Sequence, residues 1–425
     1  MPDGSATAYR YRPKLATVIA EGYSLDAIRK DCAAALTVAV VALPLSMAIA
    51  VASGVSPERG LYTAIIGGFL VSALGGSRYQ IGGPAGAFIV VVSATVAQFG
   101  LGGLLLTVLL SGALLTVVGL LRLGALIRYM PHAVTVGFTF AIAVTILASQ
   151  LKDLGGLTVP YEPGHFFPKL VALAKASPTI NLTALTLGAG SAVIIFAIRR
   201  WRPNWPGMLI AVAAASLLAF LFHLPVETIS SRFGGVPQTL PAPELPPISL
   251  SLIWQVLPAA ITFTLLGGVE SLLSAKVADA MTGRKHRHNM ELVAQGIANM
   301  ASALFGGISV TGTIARTATN IRAGAKSPLS GIMHAGFLLL FMLLAAPLAG
   351  YIPLAALGGV LVVVAWNMAD TKELVALLPN WRTAAILLAT FGLTLIEDLT
   401  VGIVAGCLLA ALFAGLDWMK GRRQA

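Results

Sequence analysis

Charged residues are scarce in this chain, and so are cysteines. Only 11% of its 425 residues are Asp, Glu, Lys or Arg, and 57% are hydrophobic, whereas roughly a quarter of the residues in soluble domains are charged. This composition excludes a soluble globular domain and indicates an integral membrane protein. The two cysteines, Cys32 and Cys407, both fall in apolar stretches, so the sequence predicts no disulfide framework.

The apolar stretches are about 20 residues long, the length that an α-helix needs to cross a bilayer. They lack the alternating pattern of barrel strands, so we predict an all-α polytopic membrane protein. Its fourteen predicted segments are 31–53, 57–75, 84–98, 102–121, 129–150, 181–198, 205–222, 257–281, 289–305, 312–323, 329–349, 353–368, 382–396 and 399–416. The third and tenth are too short to span a bilayer, and each follows a short extended stretch, "SRYQIGG" or "GGISVTG".

Basic residues predict the orientation, because cytoplasmic loops retain Lys and Arg. If the N-terminus is cytoplasmic, most of the 28 basic residues fall on that side. Five fall outside: Arg59, Lys152, Lys169, Lys175 and Arg232. The sequence therefore predicts both termini on the cytoplasmic side of the cell inner membrane. The net charge of +11 then faces anionic lipid and does not require nucleic acid as a partner.

The two short segments occupy matching positions in two groups of seven segments. Because seven is odd, the groups must have opposite orientations, which is typical of inverted-repeat transporters. We predict a cytoplasmic segment 1–30, a first repeat 31–223, an outer connection with an interfacial helix 224–256, a second repeat 257–416 and a cytoplasmic tail 417–425.

The short segments predict an anion site. Helices that begin near Pro84 and Gly312 would each present free N–H groups and a partial positive charge, and two such ends facing each other suit an anion. Thr311 and Thr313 add hydroxyl groups, and Arg316 adds a full charge. Two alternatives stay open: the glycines could serve close helix packing, and Arg316 could snorkel to the interface or neutralise an acidic neighbour.

Glu270 is the other intramembrane charge that matters, in the middle of the eighth segment. It could carry a proton, form a structural ion pair with Arg316 or coordinate a cation. His286 and His288 lie on a basic loop, and we expect them to be solvated rather than to bind a metal. We predict a transporter rather than an enzyme, with no metal or cofactor apart from H⁺ or Na⁺ as a coupling ion.

The motifs "ESLLSAKVADAMTGRKHRHNMELVAQGIANMASALFGGISVTGTIARTATNIRAGAKSPLSG", "LPLSMAIAVASGVSPERGLYTA" and "GGSRYQIGGPAGAF" resemble the SulP family of anion transporters, bacterial relatives of the solute carrier 26 exchangers. Within the family they are most similar to the dicarboxylate uptake branch. The resemblance implies a fold like that of the uracil permease, with a core of segments 1–4 and 8–11 that moves against a gate formed by the others.

The resemblance also implies the position of the anion, between the starts of segments three and ten. The residues carried over by position are Leu45 and Ile49 on segment one, Pro84, Ala85, Gly86, Ala87 and Phe88 on segment three, and Thr313, Ile314, Ala315 and Arg316 on segment ten. Glu270 matches the acidic coupling position of bacterial members. Leu45 and Ile49 make the pocket more aliphatic than in relatives that have glutamine and phenylalanine there.

These expectations leave the substrate open among sulfate, bicarbonate and C4-dicarboxylates. The alternatives are an anion channel or exchanger, or a nucleobase permease on the same fold. A receptor or scaffold has no support in the sequence. We also expect a homodimer, and a chain that ends at Ala425 without the soluble STAS domain usual in the family.

Overall fold

A computed structural model describes residues 11–124, 131–160, 163, 166–203, 205–397 and 399–423. The predicted N-terminal segment 1–30, the start of the fifth segment at 129–150 and the tail 417–425 therefore lie partly outside the described residues. The described chain is almost entirely helical.

The first half begins with a short amphipathic helix and continues with longer apolar ones. Its helices are α1 Lys14–Glu21, α2 Leu25–Ala52, α3 Pro57–Tyr62, α4 Gly68–Leu74, α5 Ile89–Leu120, α6 His132–Gly155, α7 Phe166–Lys175, α8 Leu182–Trp201, α9 Gly207–Leu221 and α10 Ile229–Phe233. A π-helical turn at Thr63–Gly67 joins α3 to α4, and a 3₁₀ turn at Gly86–Phe88 precedes α5.

The second half of the chain is also built of helices. Its helices are α11 Leu250–Thr282, α12 His288–Leu304, α13 Ile314–Arg322, α14 Leu329–Ala349, α15 Leu354–Met368, α16 Thr371–Leu377, α17 Trp381–Ile396 and α18 Leu399–Arg423.

Eight helices of the described chain are long and apolar enough to cross a membrane, and α9 and α17 are shorter apolar helices. The chain is therefore a multi-pass membrane protein. The third and fourth predicted segments meet within α5, at Gly100, whose non-helical backbone separates two helices. Gly100 has φ 66° and ψ −173°, a conformation that glycine adopts at no steric cost.

Two very short strands lie at the centre of the molecule. β1 (Gly82–Gly83) pairs with β2 (Thr311–Gly312) in antiparallel register, with Gly82 opposite Gly312 and Gly83 opposite Thr311. Each strand leads within a few residues into helix, the 3₁₀ turn and α5 after β1 and α13 after β2. The helices thus begin two residues later than the predicted starts at Pro84 and Gly312.

The helices form two groups. The strand bundle consists of α2–α5 and α11–α14, whose main interfaces join α12 to α5, α11 to α5 and α14 to α2. The flanking bundle consists of α6–α9 and α15–α18, whose main interfaces join α15 to α6, α17 to α18 and α8 to α15. A continuous apolar core extends through both groups.

Candidate anion-binding site

The starts of the two helical stretches meet at the strand pair. Thr313 donates its backbone N–H to the Ile81 carbonyl at 3.0 Å, and its hydroxyl reaches the same oxygen at 3.1 Å. Thr313 precedes α13 without capping it through its side chain. By helix geometry, the first-turn N–H groups of α13 then have no intrahelical acceptor. They leave a partial positive charge at this point in the protein interior.

Arg316 lies in the first turn of α13 and is only 3% exposed. Its Nη2 donates to Ser46 Oγ on α2 at 3.2 Å and to the Pro84 carbonyl at 3.3 Å. Its Nε and Nη1 are buried without a hydrogen-bond partner among the described residues. The guanidinium therefore bridges the two halves and keeps donors unused. This burial excludes the alternative in which Arg316 snorkels to the membrane surface.

Glu270 on α11 does not pair with Arg316 in the part of the chain that the structure describes. Its carboxylate is partly buried, and Oε2 has no hydrogen-bond partner there. The following residue, Ser271, bonds Thr311 Oγ1 at 2.8 Å and accepts from the Gly312 N–H at 3.2 Å. Glu270 thus lies one residue from a direct contact with β2. The structural ion pair with Arg316 is excluded.

The other predicted residues divide by environment. Leu45, Ile49, Ala85, Ala87 and Phe88 are buried in one apolar core. Phe88 packs edge to face on Phe263 of α11, with ring centroids 5.4 Å apart.

The remaining predicted residues lie near the surface of the strand bundle. Gly86 faces the flanking bundle, because a Cβ there would lie 3.4 Å from Met368 Sδ and 3.6 Å from Ile146 Cδ1. Ile314 and Ala315 are exposed, the former by 41%. Two predicted residues of α13 are therefore exposed, whereas Arg316 is buried.

Sequence reasoning missed a polar stripe on α12. Asn299 donates to the Val310 carbonyl at 2.8 Å and accepts from the Val310 N–H at 2.9 Å and from Ser309 Oγ at 3.1 Å. Glu291 accepts from the N–H groups of Gly76 and Ser77. The stripe therefore holds in place the residues that precede β1 and those that precede β2. Its signal was the helical spacing of Glu291, Gln295 and Asn299 in an otherwise apolar helix.

Further contacts cross between the halves. Thr63, from the first half, accepts from the Ile308 N–H at 2.7 Å, and Arg59 donates to the Gly306 carbonyl at 2.6 Å. Thr317, from the second half, accepts from the Ile81 N–H at 3.1 Å, and Asn320 donates to the Tyr79 carbonyl at 3.0 Å. Side chains of each half therefore hold in place the segment that leads into the strand of the other half.

The prediction that both loop histidines are solvated is wrong for His286. Its side chain is 2% exposed, and its Nδ1 lies 2.7 Å from Asp279 Oδ2. His288 Nδ1 lies 2.5 Å from His286 Nε2. A loop residue that carries its own acidic partner on the preceding helix becomes buried despite the basic sequence around it.

These features define a polytopic helical membrane protein with a buried cationic site between two helix starts, an arrangement that suits a small anion. A sequence profile of the sulfate permease family matches residues 28–390, and the chain belongs to that family.

Named relatives are similar to this chain over most of its length. YvdB of Bacillus subtilis is 44% identical over 395 residues, which cover 92% of this chain and 74% of YvdB. The bicarbonate transporter BicA of Picosynechococcus is 32% identical over 397 residues, which cover 90% of this chain and 69% of BicA. The solved transmembrane domain of a cyanobacterial BicA superposes with a TM-score of 0.82 at 30% identity, covering 90% of this chain and 98% of that domain.

Proposed function

We propose that this chain is a secondary active transporter of small anions and that Arg316 binds the transported anion. The observation that carries the proposal is the buried guanidinium, whose Nε and Nη1 have no partner among the described residues. A buried unpaired arginine is costly, and a carboxylate, sulfate or bicarbonate oxygen would satisfy it with charge-assisted hydrogen bonds. The first-turn N–H groups of α13 add to the same field.

The proposed architecture has fourteen segments in two inverted repeats, 31–223 and 257–416, with both termini on the cytoplasmic side of the inner membrane. The support is the symmetric placement of β1 and β2, each followed by a helix start. The strand bundle would be the moving core and the flanking bundle the gate, in an elevator motion. The main helix–helix interfaces lie within each bundle, which supports this division. We also propose a homodimer.

Sulfate, bicarbonate and C4-dicarboxylates all match the chemistry of the site. The family name and the bicarbonate relative support inorganic oxyanions. We propose Glu270 as the coupling residue, which would bind a proton or Na⁺ beside β2. A nucleobase is less well matched, because ring N–H groups require acidic partners where α13 offers Arg316.

The test is uptake by liposomes containing the purified protein. Labelled sulfate, bicarbonate and fumarate are each supplied with and without an inward H⁺ or Na⁺ gradient. We expect saturable accumulation of at least one anion, driven by one gradient. Rapid flux that only follows voltage would instead identify a channel, and no flux of any of the three would refute the proposal.

Two variants on one helix locate the site. Arg316→Gln keeps a polar side chain but shortens it and removes the charge, and we expect a loss of transport of at least about 100-fold, the scale of losing a buried charged contact. Arg322→Gln removes an exposed charge from the same helix and should transport within about twofold of the parent. Equal transport by both variants would exclude Arg316 from the site.

A further inference from the structure

A second cavity lies apart from Arg316, at the end of α11 that precedes the loop to α12. It has a volume of about 700 Å³, within the range of small-molecule sites. The groups that give it its chemistry are Lys276, Asp279, Lys285, His286, His288 and His132. Arg316 does not line it.

Positive charge in this cavity is not neutralised. Lys276 and Lys285 form no ion pair within the described part of the chain. Asp279 is the only acidic residue among the described residues of the lining, and its Oδ2 already accepts from the backbone N–H of His286 at 3.1 Å and lies 2.7 Å from its Nδ1. The carboxylate is therefore engaged by His286 and leaves both ammonium groups available.

The cavity also has an apolar wall. Val269, Leu272 and Leu273 form it along α11. His132 of α6 also lines the cavity and pairs with Glu373 at 2.9 Å. A concave surface with apolar walls and unpaired cations concentrates anions, because the walls focus the field.

We propose that this cavity is a second anion-binding site, in which Lys276 and Lys285 hold a small divalent oxyanion such as sulfate. The site is separate from the anion site at Arg316 and does not depend on transport. The Asp279–His286 contact contributes to this site, because it prevents the carboxylate from competing with the anion for the two lysines.

The experiment measures the reaction of one cysteine in the cavity with charged thiol reagents. The parent for this test carries Leu273→Cys together with Cys32→Ala and Cys407→Ala. We expect an anionic methanethiosulfonate to react about tenfold faster, relative to a cationic one, than at Val375→Cys on α16, which is 60% exposed and lies outside the cavity. Sulfate that replaces gluconate at constant ionic strength should slow the reaction at Leu273→Cys.

Two changes distinguish this site from the transport site. Lys276→Gln with Lys285→Gln should abolish both the reagent preference and the sulfate protection, while Lys276→Arg with Lys285→Arg should retain them. Arg316→Gln should leave both intact. The inference is overturned if Leu273→Cys shows no anionic preference, if the glutamine pair keeps sulfate protection, or if Arg316→Gln removes it. Sulfate uptake is measured separately, so failure of the transport proposal does not alter this outcome.

Discussion

The two halves of the chain differ in charge at the strand pair, but each half supports the strand of the other. The first half supplies Gly82, Gly83 and Pro84 and carries no charged side chain at the start of its helix. The second half supplies Thr311, Thr313 and the buried Arg316. Small residues on one side thus let a large cation from the other side approach the backbone, and the difference between the halves is what creates the site.

The support is reciprocal. Thr63 of the first half holds Ile308, and Thr317 of the second half holds Ile81. Because each strand depends on the opposite half, a change in one half should be detected at the other.

Among the changes that test this dependence between the halves, Gly83→Ala should have the largest effect on uptake. A Cβ at this position would lie 2.2 Å from Arg316 Nη1, far inside van der Waals contact, so the guanidinium must move. We expect kcat/KM for anion uptake to fall by at least about tenfold, since small displacements of a binding group are costly. The measurement is initial uptake by proteoliposomes over a range of anion concentrations.

Gly336→Ala is the matched control, because a Cβ there would meet no atom within 4 Å. It lies in α14 of the same strand bundle and should leave uptake unchanged while modestly favouring the helix. Unchanged uptake by Gly83→Ala as well would show that the small residues of the first half do not set the position of Arg316.

Sequence patterns predicted much of this fold. The predicted segment 329–349 coincides with α14, and the glycine-rich stretches before both short helices become the paired strands. Arg316 was found because a charge in an apolar chain is rare. Its partner Ser46, 270 positions away, could not be found, because hydroxyl groups are common in membrane helices and only the folded chain brings these two together.

The loop histidines illustrate what the sequence patterns did not predict. Local composition around His286 indicated a solvated loop, but Asp279, in the last turn of α11, pairs with the ring and holds it inward. Periodicity describes which face of a helix is buried and contains no information on where the chain turns back after the helix ends. The loop environments therefore required the structure.

Asn299→Ala should give the largest loss of stability. It removes the acceptor for the Val310 N–H and for Ser309 Oγ and the donor to the Val310 carbonyl, leaving buried groups unpaired before β2. We expect the free energy of unfolding to fall by about 2–4 kcal/mol, measured by denaturant titration in mixed micelles. Asn289→Ala on the same helix, whose Oδ1 has no partner among the described residues, should cost less.

Thr317→Val and Thr63→Val test whether the support is reciprocal. Each keeps the shape of the side chain but leaves one backbone N–H unpaired, that of Ile81 or Ile308. We expect each to lower the free energy of unfolding by about 1–2 kcal/mol. If the two losses in free energy of unfolding differ by more than about 2 kcal/mol, the support acts mainly in one direction, from one half to the other. Thr37→Val, whose hydroxyl bonds only within its own exposed helix turn, is the control.

The smallest effect concerns α1, which attaches to the strand bundle outside the membrane. Glu21 accepts hydrogen bonds from Arg78 Nη2, and this contact holds the pKa of the carboxyl below its usual value of 4.5. A lowered pKa means that the contact stabilises the docked helix above the usual value and is lost as the pH falls through the lowered one. The attachment of α1 should therefore loosen only in acid.

A spin label at Ile19→Cys, in the background without Cys32 and Cys407, measures this loosening. Ile19 is 64% exposed, so the label should not disturb packing. We expect immobilisation at pH 7 and faster motion once the pH falls below the lowered pKa of Glu21, while Glu21→Gln should be mobile at every pH. Asp26→Asn, which breaks only the pair with Lys30 on α2, should follow the parent. If Glu21→Gln is as immobile as the parent, α1 is held by Arg287 instead, whose Nη1 donates to the Arg12 carbonyl and to Thr17 Oγ1. The first half would then be joined to the second through the loop before α12 as well as through the strands.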